Sequence, residues 1–225
     1  MPIKDSFKKI TNQFAGLTPF IVTTSLSYYK KPFEVDLSAT IDHIRLRSLE
    51  LVSQEIKSKG VPGEVAEVGV YKGDFAKYIN SAFPSKKIYL FDTFEGFHEK
   101  DVEIEIEQNF SAGDQDFSNT STQLVLGKMK YKENVIFKKG YFPESAEGVE
   151  ETFCFVSLDT DLYKPIYDGL NWFSKRMNKG GYIFVHDFNN DNYTGARKAV
   201  VQFSSESGRA FFPLCDSCGT AVIPF

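Results

Sequence analysis

Five short apolar runs, each followed by a stretch with helical spacing, constrain the fold of this chain more than any other feature. They lie between residues 65 and 187 and read VAEVGV, KIYLFD, NVIFKKG, FCFVSLD and GGYIFVHD. Apolar strands that alternate with helices are typical of a parallel sheet covered on both faces. Two further runs, RAFFPL and GTAVIPF, have no helix between them. We therefore predict an α/β fold with a doubly wound, mostly parallel seven-stranded sheet and an antiparallel C-terminal hairpin.

The segments outside these runs predict how the rest of the chain is organised. Residues 1–225 have the length of a single domain. Residues 1–58 are expected to form an N-terminal arm and an amphipathic helix, because apolar residues recur at helical spacing from Leu37 to Lys57. Residues 95–123 are acidic and rich in Gly, Ser and Asn. This segment is either a solvated loop or, because it leaves the carboxyl end of the second strand, a lid over a ligand.

Charge and hydropathy exclude several functional classes. Lys and Arg number 26 against 30 Asp and Glu, so the net charge of −4 argues against nucleic acid as a partner. No apolar run approaches the roughly 18 residues of a membrane span, and the N-terminus lacks the apolar core of a signal peptide. We therefore predict a cytoplasmic protein with no membrane partner. The aromatic residues scattered along the arm suit packing on a neighbouring subunit, which predicts a homo-oligomer.

Three cysteines are present, too few to pair completely within the chain. Cys154 lies in an apolar run and is expected to be a small buried residue. Cys215 and Cys218 form a CxxC pair, but no second pair of metal ligands accompanies them. We interpret them as structural or incidental residues that flank a turn between two strands.

The glycine loop EVGVYKG closes the first strand and opens a helix. Gly69 allows a tight turn close to a ligand, and Gly73 lets the helix pack near the strand. Glu67 suits an amino group and would repel a pyrophosphate, which Tyr71 would also crowd. Asp92 ends the second strand, where an acidic side chain accepts ribose hydroxyls. The combination favours a nucleoside with an ammonium group, such as S-adenosylmethionine (SAM); glycines that only shape a turn are the alternative.

Polar residues also follow the fourth and fifth strands. The sequence LDTDLY places Asp159 and Asp161 at i and i+2, which in an extended strand point to the same side. The sequence VHDFNN adds His186, Asp187, Asn189 and Asn190 at the same edge. Carboxylates held this close need a cation or a shared proton, so the cluster predicts Mg²⁺ or a similar hard ion. Two simpler interpretations stay open: Asp159 as a helix cap and His186 as a packed, hydrogen-bonded side chain.

Five stretches of the chain resemble the macrocin O-methyltransferase family, from about residue 40 to the C-terminus: EVGVYKGDFAKYI, YLFDTFEGF, KKGYFPES, FVSLDTDLYKPIYDGL and GGYIFVHDFNN. The resemblance implies a Rossmann-like class I SAM methyltransferase that transfers a methyl group to a hydroxyl of a sugar or glycosylated acceptor. It implies a cofactor site formed by Glu67, Gly69, Tyr71, Gly73, Asp92, Thr93, Gly140, Tyr141, Phe142 and Asp159. It also implies metal binding by Asp159, Asp161 and Asp187, and catalytic roles for Asp161, His186 and Asp187. Family members that bind Mg²⁺ commonly carry two aspartates where this chain has a histidine followed by an aspartate.

The resemblance leads to an expected mechanism. A divalent ion held by Asp161 and Asp187 would lower the pKa of the acceptor hydroxyl and fix its oxygen against the methyl group. Asp161 or His186 would then take the proton. Aromatic side chains of the arm and the lid are expected to stack on the sugar ring, namely Tyr28, Tyr29, Phe94 and Phe97. Two other classes stay open: an NAD-dependent oxidoreductase, against which the glycine loop argues, and a non-catalytic SAM-binding protein.

Overall fold

A computed structural model describes residues 42–225 of the chain. In chain order, these residues form α1 (His43–Ser58), β1 (Glu64–Val68), α2 (Ala76–Ala82), β2 (Ile88–Asp92), α3 (Glu99–Glu107), α4 (Thr122–Lys128), β3 (Val135–Lys139), β4 (Phe153–Leu158), α5 (Tyr163–Ser174), β5 (Met177–Val185), α6 (Thr194–Ser207), β6 (Phe212–Pro213) and β7 (Ala221–Pro224). Short 3₁₀ helices span Lys132–Asn134 and Glu144–Ala146.

The strands form one seven-stranded sheet in the order β3-β2-β1-β4-β5-β7-β6. Strands β1 to β5 pair in parallel, whereas β7 pairs antiparallel with both β5 and β6. The predicted sheet and its C-terminal hairpin are thus confirmed. The strand order reverses between β1 and β4, and ligands of open α/β sheets bind at the carboxyl ends of the strands on either side of such a point.

Helices cover both faces of the sheet, because the buried strands are apolar on both sides. Leu46 and Leu49 of α1 and Ile79 of α2 pack on one face. On the other face, α5 and α6 contribute buried side chains that include Leu170 and Phe203. Cys154, in β4, is fully buried in the first of these two cores, as predicted, and carries a free thiol. This layering holds the strand ends, and the residues that follow them, in fixed positions.

Two local features differ from the sequence prediction. The strand β3 is followed by the 3₁₀ helix Glu144–Ala146 and not by an α-helix. The acidic segment 95–123, predicted as a loop or lid, contains the nine-residue helix α3 and the start of α4. Helix α3 is held against the rest of the structure by two buried carboxylates: the Tyr141 hydroxyl donates to Asp101 Oδ1 at 2.7 Å, and the Tyr163 amide donates to Glu105 Oε1 at 2.6 Å.

Several predictions concern the ends of the chain. Within the described residues, α1 begins after Asp42, whose Oδ1 accepts from the Ile44 amide at 2.7 Å, and it ends close to the predicted position. The predicted arm, with Tyr28 and Tyr29, lies in residues 1–41, outside the described part of the chain. Cys215 and Cys218 are free thiols between β6 and β7. No helix within residues 42–225 is long and apolar enough to cross a membrane.

Candidate active site

A cavity of about 330 Å³ lies at the carboxyl ends of β1, β2, β4 and β5, the volume of a small-molecule site. Residues from all five stretches that resemble the macrocin O-methyltransferase family meet in this cavity, although these stretches are far apart in the chain. Its walls contain every predicted site residue except Gly73: Glu67, Gly69, Tyr71, Asp92, Thr93, Gly140, Tyr141, Phe142, Asp159, Asp161, His186 and Asp187. Gly73 instead packs against α4, where an added Cβ would lie 2.9 Å from Val125 Cγ1.

Gly69 follows β1 and lies against the backbone that follows β4. Its φ is +80°, and an added Cβ would lie 2.0 Å from the carbonyl oxygen of Asp159. The Asp159 amide in turn donates to the Val68 carbonyl at 2.9 Å. A side chain at position 69 would therefore displace the backbone that carries Asp159 into the cavity.

Substituting Gly69→Ala is expected to lower the free energy of unfolding by about 2–5 kcal/mol, because the positive φ and the contact with a backbone oxygen both oppose a Cβ. The control is Gly148→Ala, since Gly148 has φ +73° but no atom within 4 Å of an added Cβ. It should cost only about 1–2 kcal/mol. Urea denaturation of both variants measures the difference; equal losses would show that the contact with Asp159 is unimportant.

Asp92 fixes the conformation of the glycine loop. Its Oδ2 accepts hydrogen bonds from the amides of Val70, at 2.7 Å, and Tyr71, at 2.8 Å, and its Oδ1 accepts from the Phe94 amide at 2.6 Å. A carboxylate has about four acceptor positions, so about one is left for a ligand. Contact with the ribose stays a prediction, but Asp92 has a second role, in holding the loop, that sequence reasoning missed.

Glu67 carries a polar atom that lacks a partner within the described part of the chain. The side chain is 1% exposed, and its Oε2 is buried without a hydrogen-bond partner. Burial, reinforced by the charge of Asp159, raises the pKa of Glu67 well above its ordinary value, although Arg45 opposes this. Because Glu67 lines the cavity, an ammonium group of a bound ligand would satisfy its free oxygen. The residue therefore fits the amino group of SAM.

Asp159 lies between two cationic side chains. Arg45, 2% exposed in α1, donates to Asp159 Oδ2 at 2.9 Å and to Ser157 Oγ at 3.1 Å. The His186 Nδ1 atom is 3.1 Å from Asp159 Oδ1. Burial alone would raise the pKa of Asp159, but Arg45 and His186 outweigh it and hold this pKa well below its usual range. Burial would likewise lower the pKa of His186, but chiefly the charge of Asp159 raises it to about 10.

Asp161 and Asp187 form a second pair of carboxyl groups, close enough to share a hydrogen bond. Their φ angles are +60° and +58°, a left-handed conformation that is uncommon for residues other than glycine. Burial, followed by the charges of Asp187 and Asp159, raises the pKa of Asp161 well above its ordinary value. Asp161 is not part of an extended strand, since β4 ends at Leu158. The prediction that Asp159 and Asp161 share a strand face is therefore wrong, although both line the cavity.

Aromatic side chains form one wall of the cavity, beside the glycine loop. The ring of Phe117 lies 5.0 Å from the rings of both Tyr71 and Phe97, and Phe97 lies 6.2 Å from Tyr193. Phe97 and Phe117 line the cavity, and the stacking of Phe97 on a sugar ring stays a prediction. Phe94 does not line it and packs against Phe137 of β3, so its predicted contact with a sugar is not supported.

Comparison with known families identifies the family of this chain. Residues 36–212 match the sequence model of the macrocin O-methyltransferase (TylF) family. The chain belongs to this family. Its members are O-methyltransferases, and the predicted class of enzyme, a SAM-dependent O-methyltransferase, is thereby confirmed. The alternatives of an NAD-dependent oxidoreductase and a non-catalytic SAM-binding protein find no support.

Individual relatives of this O-methyltransferase are distant in sequence. The chain is 23% identical over 190 residues to a tetracenomycin 4'-O-methyltransferase of Streptomyces olivaceus that acts on a rhamnosyl derivative, covering 79% of this chain and 71% of the relative. It is 25% identical over 178 residues to the mycinamicin III 3''-O-methyltransferase of Micromonospora griseorubida, covering 73% and 69%.

Solved structures share the fold. The O-methyltransferase NovP superimposes with a TM-score of 0.65 at 18% identity, over 80% of this chain and 79% of NovP. A calicheamicin methyltransferase also gives a TM-score of 0.65 at 18% identity, over 80% and 78%. The class I SAM methyltransferase fold is thus confirmed for this O-methyltransferase.

The residues of this O-methyltransferase whose potential metal-ligand atoms lie close together differ from the predicted metal-binding set. Among residues 42–225, the group whose ligand atoms all lie within 4.8 Å of one another is His186, Asp187 and Cys218. The predicted set of Asp159, Asp161 and Asp187 is not such a group. The sequence analysis interpreted Cys218 as a structural or incidental residue and did not place it at the site, to which the return of β7 beside β5 brings it.

Proposed function

We propose that this O-methyltransferase transfers the methyl group of SAM to a hydroxyl of a sugar, either on a glycosylated small molecule or on a glycan precursor. The names of its relatives support the substrate class, since one acts on a rhamnosyl tetracenomycin and another on the 3'' position of mycinamicin III. The aromatic wall of Phe97 and Phe117 supports it independently, because aromatic faces suit the apolar face of a sugar ring.

The observation that carries the proposal is the carboxyl pair of Asp161 and Asp187 on the cavity wall. A sugar hydroxyl must lose its proton as it attacks, and a positioned base with a pKa nearer to neutrality serves this best. Burial, followed by the charge of Asp187, raises the pKa of Asp161 above its ordinary value, so its carboxylate is a stronger base than that of a solvated aspartate. His186 suits the role less well, because Asp159 raises its pKa to about 10, so that it already holds its proton at neutral pH.

Different residues of the chain bind the cofactor, accept the proton and orient the acceptor. SAM, when bound, supplies the electrophilic methyl group of a sulfonium. Glu67 binds the amino group of the cofactor, and Asp92 and the glycine loop orient the nucleoside. Asp161 accepts the hydroxyl proton as the oxygen–methyl bond forms and the sulfur–methyl bond breaks, leaving its electron pair on sulfur. The aromatic wall orients the acceptor and excludes water.

Magnesium assistance, which the sequence predicts, gains no support from the donor set. Both oxygens of Asp159 and both oxygens of Asp187 already lie within hydrogen-bonding distance of nitrogen atoms of the protein. We therefore assign no step of the reaction to a metal ion.

Replacing Asp92 with Ala is expected to weaken SAM binding at least about tenfold, since charge-assisted hydrogen bonds are each worth about 1.5–3 kcal/mol. The variant loses both the acceptor for the loop amides and the acceptor position left for the ribose. Isothermal titration calorimetry with SAM measures the effect. Asp116→Ala is the control, because Asp116 is exposed and does not line the cavity. Equal affinity of the Asp92 variant and the wild type would contradict the cofactor assignment.

The substrate class is tested by incubating the protein with SAM and a panel of acceptors: rhamnosides, other glycosides, nucleotide sugars and catechols. We expect a product one methylene heavier from a sugar, detected by mass spectrometry, together with S-adenosylhomocysteine. Methylation of catechols alone would refute the sugar proposal. It would leave the O-methyltransferase activity standing.

We also propose that the protein acts in the cytoplasm on small molecules or glycan precursors, as a homo-oligomer, and not on nucleic acid. The net charge of −4 supports the last point, because a polyanion would be repelled. Size-exclusion chromatography with light scattering tests the oligomeric state.

A further inference from the structure

The imidazole of His186 lies where a cation would bridge two carboxylates. Its Nδ1 atom is 2.7 Å from Asp187 Oδ2 and 3.1 Å from Asp159 Oδ1. The side chain is 18% exposed, and it lines the cavity beside both aspartates. One nitrogen of the protein thus links two acidic groups that come from the ends of two neighbouring strands.

The remaining oxygens of these carboxylates are occupied as well. Asp159 Oδ2 accepts from Arg45 at 2.9 Å, and Asp187 Oδ1 accepts from Asn190 Nδ2 at 2.8 Å. Mg²⁺ needs near-octahedral oxygen ligands at about 2.0–2.1 Å, so an ion that bridged Asp159 Oδ1 and Asp187 Oδ2 would have to displace the imidazole of His186, which contacts both oxygens. Arg45 cannot lose its charge and is almost fully buried, so it would stay paired with Asp159 and make that carboxylate a poor ligand for the ion.

Asp161 alone does not make up for this loss. Of the three aspartates in the predicted metal set, it is the one whose oxygens are not held by a nitrogen donor among the contacts described above. Asp161 by itself offers Mg²⁺ one carboxylate, and sites with so few protein ligands elsewhere also use substrate phosphates and waters. The residues of this chain therefore do not fit the divalent ion that the sequence predicts.

We propose that His186 takes the place of the divalent cation in this enzyme, so that methyl transfer proceeds without a metal ion. The inference rests on the proposed function, because it concerns how the same site handles the acceptor hydroxyl. His186 is a positioning residue: it ties Asp159 to Asp187 and so holds Asp187 against Asp161. The acceptor proton passes to Asp161, and no metal ion is needed to hold the acceptor oxygen.

The test measures metal binding separately from activity. After dialysis against EDTA, the wild type is titrated with Mn²⁺, a hard ion that serves as a probe for Mg²⁺, and free Mn²⁺ is followed by electron paramagnetic resonance. We expect no stoichiometric binding. The variant His186→Asp removes the bridging nitrogen and adds a carboxylate, so it should bind one Mn²⁺ per chain. The matched variant His186→Asn removes the bridge without adding charge and should bind Mn²⁺ more weakly than His186→Asp.

Turnover with a sugar acceptor gives the second readout. We expect EDTA to change the kcat of the wild type by less than about twofold. Stoichiometric Mn²⁺ binding by the wild type, or turnover abolished by EDTA and restored by Mg²⁺, would overturn the inference while leaving the proposed function intact. Failure of His186→Asp to bind Mn²⁺, with calorimetry showing that it still binds SAM, would also overturn it.

A softer metal is the remaining alternative, since His186, Asp187 and Cys218 offer ligand atoms within 4.8 Å of one another. Metal analysis of the purified protein decides this point. One zinc per chain, lost in the variant Cys218→Ser, would overturn the inference. If no acceptor is methylated with or without metal, the proposed function fails, and the Mn²⁺ titration still shows whether His186 excludes the ion.

Discussion

Replacing Asp161 with Asn is expected to lower kcat by about 10²–10⁴-fold, the range typical of losing a general base. The amide has almost the same shape as the carboxyl group but cannot take a proton from the acceptor. Asparagine also tolerates the left-handed backbone at this position, where φ is +60°, so the fold should be kept. Steady-state kinetics with a sugar acceptor measures kcat. Calorimetry should show a SAM affinity within about threefold of the wild type.

The control for this prediction is Asp191→Asn. Asp191 is exposed in the loop that follows Asp187, so the same chemical change there should leave kcat unaffected. Should the Asp161 variant keep wild-type turnover, the proton must leave by another route, and Asp187→Asn becomes the variant to measure.

Replacing Arg45 with Met is expected to lower the free energy of unfolding by about 3–5 kcal/mol, because it removes the more deeply buried of the two cationic partners of Asp159. The loss includes the contact of the guanidinium with the ring of Phe75, which lies 3.8 Å away. Urea denaturation followed by the fluorescence of Trp172, the single tryptophan, measures the change.

Two further variants identify the cause of that loss. Lys59→Met breaks an ion pair with Glu55 at the C-terminal end of the same helix, where the two side chains are 56% and 50% exposed, so it should leave the free energy of unfolding nearly unchanged. The double variant Arg45→Met with Asp159→Asn should recover much of the stability, since the carboxylate that Arg45 neutralises is then absent as well, and His186 keeps Asp187 as its partner. A double variant no more stable than Arg45→Met would assign the loss to packing and not to the ion pair.

The position of the site could be predicted because each strand ends in a recognisable residue. Glycine or aspartate lies at the carboxyl end of each of the five runs that form the parallel strands, as at Gly69, Asp92 and Asp187. Parallel pairing then brings these ends to one edge of the sheet, whatever their distance in the chain. The geometry beyond the strand end was not predictable in this way. Asp161 turns away from the strand direction in a left-handed conformation that only the assembled edge stabilises.

Helix α3 was not predicted, because it buries charged side chains and exposes an apolar one. Its apolar residues Val102, Ile104 and Ile106 alternate with charged ones, which is not a helical spacing. The helix instead buries Asp101 and Glu105, four residues apart, and leaves Ile106 57% exposed. The two carboxylates find donors in Tyr141 and in the first turn of α5, partners that the sequence does not place next to them.

Arg45 was missed although a signal was present. It lies four residues before Leu49 on the predicted amphipathic helix, so its side chain points to the buried face of α1. A charged residue on an apolar face needs a partner of opposite charge. The partner, Asp159, is 114 residues away in the chain, and only the packing of α1 beneath the sheet edge reveals it.

The anchoring of α3 has a consequence for the diversity of acceptors. Glu105 fixes one end of residues 108–121, which contain no helix or strand, and the bond from the Tyr71 hydroxyl to Asn119 at 2.6 Å fixes the other. Between these two attachments the chain carries Phe117 into the cavity wall. We therefore expect changes of sequence between these two attachments to alter the choice of acceptor while the strand ends keep the carboxyl groups in place.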